Sequence, residues 1–152
     1  MNAYQNTNTH NETSTHHDTS THKFTDMDAA TLRSSINNFE GVCTLATVNP
    51  DGTPNAAIFV PTMPDDSHII VMLAQNHTRT NIERTGNAYM VYDVAHPTAE
   101  EKADRHAGAR ARLSLVRPEG KTAEEYQAVA EKFPRMNPAV IILRIEQLLP
   151  IG

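Results

Sequence analysis

The chain has 152 residues, a formal net charge of −5 and a single cysteine. That length suits one domain with residues to spare for a tail, and the acidic balance argues against a non-specific nucleic-acid binder, which needs a basic face. The lone Cys43 excludes an internal disulfide, and no apolar stretch nears the roughly 18 residues of a membrane span.

Residues 1–22, rich in Asn, Thr, Ser and His, hold too little apolar surface to offset the entropy of ordering them, and are expected to form a disordered tail. The tail carries His10, His16, His17 and His22, but it has no Cys and no helical ligand spacing, so no metal site is expected. It also lacks the basic and apolar regions of a signal peptide, which makes the cytoplasm the expected location. The domain is expected to run over residues 25–152. In "TDMDAATLRSSINNF", Thr25 and Asp28 form a variant capping box, and Leu32, Ile36 and Phe39 recur at helical spacing.

The period then changes to two. "VCTLATVNPDGTPNAAIFVP" reads as strand, turn and strand, with Asn49 to Gly52 as the hairpin turn. "TMPDDSH" reads as a further turn, and "HIIVMLA" as a third strand covered on both faces. "HTRTNIERTG" allows two helical turns closed by Gly86, and "NAYMVYDV" is a fourth strand with Tyr89 and Tyr92 on opposite faces. After a charged loop from Ala95 to Gly108, Ala109, Ala111, Leu113 and Leu115 alternate with Arg110, Arg112 and Ser114 in a fifth strand. Thr122 and Glu125 suggest a capping box for a helix whose buried stripe is Tyr126, Val129, Ala130 and Phe133, stopped by Pro134. "AVIILRIEQLLPIG" is a sixth strand. Six strands with short connections and two substantial helices predict a mainly β fold, an antiparallel barrel or sandwich with helices at its edges.

Cys43 lies mid-strand and no serine sits in a nucleophile elbow, so nucleophilic catalysis finds no support. The domain has no Cys-x-x-Cys or His-x-x-x-His pair for zinc, and no glycine-rich nucleotide loop. What remains is "NHTRTN". His77, the hydroxyls of Thr78 and Thr80, the Arg79 guanidinium and the Asn81 amide cluster at a helix start, where free N–H groups and the dipole favour an anion. The same residue types also make an ordinary helix cap, and local chemistry alone leaves both readings open.

The succession "CTLATVNPDGTPNAAIFVP", "SHIIVMLA", "NHTRTNIERTGNAYMVYDV" and "ARARLSLVRPEG" resembles the FMN-binding split-barrel family, the pyridoxamine 5′-phosphate oxidase-like proteins. The resemblance covers nearly all of residues 25–150 and implies a six-stranded antiparallel split barrel that dimerises and binds FMN at the subunit interface. By position it implies that Ala57, Ile58, Phe59 and Val60, with Leu73, Ala74 and Gln75, face the flavin ring, and that His77, Thr78, Arg79 and Asn81 hold the phosphate. Many members carry a Lys where this chain has His77, which leaves Arg79 to supply the charge. The chain ends in "RIEQLLPIG", without the Arg-rich segment of true pyridoxamine phosphate oxidases, and is not expected to be that enzyme. The resemblance thus implies a homodimeric flavoprotein passing hydride or electrons between small molecules, with NAD(P)H among the donors. The alternative is a non-catalytic carrier of flavin, haem or deazaflavin.

Overall fold

The computed structural model describes residues 25–152, so the expected tail lies outside the described residues. Eight strands and three helices follow one another as β1 (Thr25–Asp26), α1 (Ala29–Asn37), β2 (Val42–Val48), β3 (Pro54–Phe59), β4 (Thr62–Asp65), β5 (His68–Leu73), α2 (His77–Thr85), β6 (Asn87–Ala95), β7 (His106–Val116), α3 (Gly120–Glu131) and β8 (Ala139–Leu149). All six expected strands are present. β4 adds another inside "TMPDDSH", where a bulge against β5 lets Pro64 and Asp65 extend rather than turn. The two-residue β1 pairs in parallel with β7.

The sheet order is β3-β2-β6-β7-β8-β5-β4, so strands adjacent in the chain, β3 and β4, stand at its two ends. A flat sheet would hold those ends about 29 Å apart across six interstrand gaps. Only Val60 and Pro61 separate β3 from β4, and they span at most roughly 11 Å. The sheet must therefore curl until its edges meet, and with no ladder between β3 and β4 it is a split barrel.

Alternation sets what faces inward. Cys43, Leu45 and Thr47 of β2 and Met90 and Tyr92 of β6 are buried, and Leu32 and Ile36 of α1 join the same core. Burial pushes the Cys43 thiol up to about 12, so it is an inert core residue. Backbones pack closely beside it. A Cβ on Gly108 would lie 2.0 Å from the Tyr92 carbonyl oxygen, so no other residue fits there.

Helix ends differ from the sequence expectations. Asp28 is itself the N-cap of α1, accepting from the Thr31 N–H at 2.8 Å, because Thr25 is taken up in β1. At its other end the Asn37 carboxamide donates to the Met63 carbonyl at 2.8 Å and accepts from the Met63 N–H at 2.9 Å, pinning α1 to β4. α3 starts earlier than Thr122, after Glu119, with no side-chain cap. Of its expected buried stripe only Ala130 is buried. Tyr126 is half-buried, and Val129 and Phe133 are exposed, because α3 packs mainly on β8. Met72 of β5 is likewise exposed, so that strand is covered on one face rather than two. The charged loop holds a short 3₁₀ turn at Lys102–Arg105. No helix among the described residues is long and apolar enough to cross a membrane.

Candidate functional site

α2 begins where the Asn76 side chain caps the Arg79 N–H at 2.9 Å, and ends at Gly86, whose φ of 72° closes the helix as expected. Its inner face is Thr78, Asn81 and Ile82, at helical spacing. Thr78 and Asn81 do not reach solvent. They close a polar knot with the β2–β3 hairpin instead. The Asn55 amide donates to Thr78 Oγ1 at 2.9 Å and to Thr47 Oγ1 at 3.1 Å. The Asn81 amide donates to Thr47 Oγ1 at 3.1 Å and to Asn49 Oδ1 at 2.9 Å. Asn81 is 1% exposed, and its Oδ1 has no partner among the described residues.

Arg79 points elsewhere. Its Nε donates to Glu83 at 2.8 Å and its Nη1 to the Asn137 carbonyl at 2.9 Å, leaving the side chain 16% exposed. It forms one wall of a cavity of about 490 Å³ with Tyr126, Gln127 and Glu131 of α3. His77 and Thr80 remain exposed at the helix start, the Thr80 hydroxyl donating to the Asn76 carbonyl and accepting from Gln75.

The ring-facing candidates divide by strand parity. Ala57 and Phe59 of β3 are half-buried on the inner side, Phe59 packing on the core, and Leu73 is buried within it. Ile58 and Val60 are 69% and 73% exposed. Ala74 is half-buried and Gln75 exposed at the end of β5. The pairings place Ala56, Ala46, Tyr89 and Arg112 in one outward row across β3, β2, β6 and β7. Ile58, Thr44, Val91 and Arg110 form the next row. Over the first row lies an open groove of about 770 Å³, lined by Ala46, Val48, Pro54, Tyr89, Arg112 and Glu146. The sequence reading missed this groove. Its signal was the run of small residues at alternate outward positions, Thr44, Ala46 and Ala56, which only the pairing brings into a floor.

Two carboxylate–histidine contacts lie outside this area. Asp65 accepts from the Ser67 N–H and hydroxyl and sits 3.0 Å from His68, and these bonds hold its carboxyl at about 2. Asp93 lies 2.9 Å from His106 across the β6–β7 pair.

A flavin makes two demands, a flat apolar bed and a cradle for the terminal phosphate. The outward Ala/Thr floor meets the first, since small side chains let a planar ring approach the sheet. At the α2 start, the His77 and Thr78 N–H groups have no acceptor within the helix. The nearest guanidinium, Arg79, is already paired. The ring therefore fits better than the phosphate.

The sequence pattern that defines the pyridoxamine 5′-phosphate oxidase family matches residues 32–148. Among solved structures, an FMN-binding protein from Syntrophomonas wolfei subsp. wolfei superposes with a TM-score of 0.57 at 21% identity, covering 80% of this chain and 84% of that one. A FAD-binding protein from Mesorhizobium loti gives 0.54 at 12% identity over 76% and 88%. A haem-binding protein from Mycobacterium smegmatis gives 0.56 at 20% identity, covering 80% of this chain but 53% of that longer one. At these identities the likeness establishes the fold. No curated protein matches. With the family pattern spanning the sheet from α1 to β8, the chain belongs to the pyridoxamine 5′-phosphate oxidase family.

Proposed function

We propose that this protein is a cytoplasmic, homodimeric flavoprotein that binds FMN and passes hydride or electrons between a donor such as NAD(P)H and a small-molecule acceptor. The observation that carries the reading is the outer face of β3, β2 and β6, where the Ala56–Ala46 floor lies beside the exposed Ile58 and Val60. Large apolar side chains at such exposure on and just beyond an edge strand call for a partner surface, and a second copy covering them would wall the groove and keep it dry. When bound, the flavin supplies the redox chemistry. The chain's own part is positional. The small floor sets the ring plane, and Tyr89 and Val48 line the same groove. β3 hydrogen-bonds only to β2, so its other edge presents free N–H and C=O groups that can meet a ring's polar rim. No side chain is required to act as acid or base.

The test has two parts. Light scattering behind size exclusion should give a dimer. FMN added to protein freed of cofactor should be taken up, then bleached by NAD(P)H under anaerobic conditions. Uptake without bleaching makes the protein a carrier, and a monomer that takes up no FMN overturns the proposal.

A further inference from the structure

Several arginines around α2 and the outer face of the sheet already have partners. Arg79 is held by Glu83 and the Asn137 carbonyl, and Arg84 by the Val48 carbonyl. Arg110 donates to the Pro150 carbonyl and Arg117 to the Glu83 carbonyl. Arg112 differs. It is exposed on the wall of the groove, and among the described residues it makes neither an ion pair nor a hydrogen bond. Glu146, the anion on the same walls, is turned to the Ser114 hydroxyl and does not pair with it. A guanidinium whose donors are open on a groove suits a phosphate, which it meets with two parallel hydrogen bonds.

The register sets where that phosphate would lie. From β3 to β7 the outward row reads Ala56, Ala46, Tyr89 and Arg112. Arg112 stands two interstrand gaps from Ala46, about 10 Å, with Tyr89 between them. In a flavin the ribityl chain leaves N10, which lies across the ring from N5. A ring on the Ala46–Ala56 floor, with its N5 side at the free edge of β3, sends that chain over Tyr89 toward β7. Resting on the flavin reading, we infer that Arg112 anchors the FMN phosphate, which places the phosphate at β7 and not at the α2 start. The exposed His77 and the free N–H groups of that helix start are the rival place. A second copy over Ile58 and Val60 would close the groove from water, and the lower local dielectric strengthens the Arg112–phosphate pair. Glu146 opposes it, since its charge in the same groove repels the phosphate.

The experiment titrates cofactor-free wild type, Arg112→Gln, Glu146→Gln and His77→Ala with FMN and, separately, with riboflavin, following flavin fluorescence at low and at high salt. All three side chains are exposed, so the variants should keep the wild-type melting temperature. Wild type should bind FMN at least about fivefold more tightly than riboflavin at low salt, with the gap narrowing as salt rises. Arg112→Gln should bring the two flavins to within about twofold by weakening FMN alone, and Glu146→Gln should widen the gap by about twofold or more. His77→Ala should leave the gap as it is. A wild type that binds both flavins alike overturns the inference and leaves the flavin reading intact. So does an FMN preference that survives Arg112→Gln, as it would if His77 or a cation of the second copy held the phosphate, that closes in His77→Ala, or that fails to widen in Glu146→Gln. Loss of riboflavin binding along with FMN in Arg112→Gln also overturns it, because the side chain would then act on the ring. Failure of wild type to bind either flavin overturns the flavin reading, and this inference with it.

Discussion

Replacing Asn81 by Asp tests the polar knot beneath α2 with an almost isosteric change. The Asn81 amide donates two hydrogen bonds, at 3.1 and 2.9 Å, and the residue is 1% exposed. A carboxylate there can donate neither bond. Thr47 can turn its hydroxyl to donate, but Asn49 Oδ1 would face a second oxygen. Losing one to two hydrogen bonds costs about 1–2 kcal/mol. Burying the charge, or holding it protonated at neutral pH, adds about 1.4 kcal/mol for each unit by which the folded state raises the carboxyl pKa. The expected cost near neutral pH therefore exceeds the about 1–2 kcal/mol of the lost bonds, by about 1.4 kcal/mol for each unit of that rise. Asn81→Ala loses the same bonds but also removes the unpartnered Oδ1, and should cost only about 1–2 kcal/mol. The two variants also differ in pH dependence. A carboxyl whose folded pKa is raised binds more protons in the native state, so the Asp variant should regain stability as pH falls toward 4 and approach the Ala variant. Urea unfolding followed by circular dichroism at two pH values measures this. An Asp variant as stable as wild type at neutral pH, or one whose deficit does not change with pH, would refute the assigned network.

The remaining predictions concern the surface and the turns. Ile58→Lys together with Val60→Lys should convert the proposed dimer to a monomer in light scattering while the melting temperature of the fold stays nearly unchanged, because both side chains are exposed in the single chain. A dimer that survives both changes places the interface elsewhere. Arg79→Ala should cost about 1 kcal/mol of stability through the lost Glu83 and Asn137 contacts, yet shift FMN affinity by less than about threefold. A larger loss of affinity would restore Arg79 as the phosphate anchor. Asp65 is held at about 2, chiefly by the Ser67 N–H and then its hydroxyl. A depressed carboxyl contributes stability above its unfolded pKa of about 4 and loses it as pH falls toward 2, so Asp65→Asn should flatten acid unfolding across that window. An unchanged acid limb in a urea series would count against those bonds.

Periodicity made much of this molecule legible. Alternation in "VCTLATV" and "NAYMVYDV" identified both strands and set Tyr89 and Tyr92 on opposite faces, because a two-residue repeat fixes the face, and burial in the core then falls to Tyr92. Gly86 announced the end of α2 for a reason as local, its left-handed backbone. β4 escaped notice because Pro64 and Asp65 carry turn propensity, and only pairing with β5 and the clasp of Asn37 hold them extended. The same limit governs the candidate site. "NHTRTN" marked a helix start correctly, but the sequence could not tell which of its donors point outward. Helical phase sends Thr78 and Asn81 under α2 and leaves His77 and Thr80 in solvent. Arg79 sits at the boundary, and its direction is decided by Glu83 one turn on and by the Asn137 carbonyl, 58 residues away in the chain. The Ala56–Ala46–Tyr89–Arg112 row was invisible for a similar reason, since its members come from four strands and meet only through register.

The central claim, that this split barrel carries a flavin on its outer face, is tested most directly by the visible absorption spectrum of the purified protein before and after incubation with FMN. The expected result is the yellow band of oxidised flavin, retained through gel filtration and lost on anaerobic addition of NAD(P)H. A haem Soret band, or a colourless protein that retains no FMN, would contradict it.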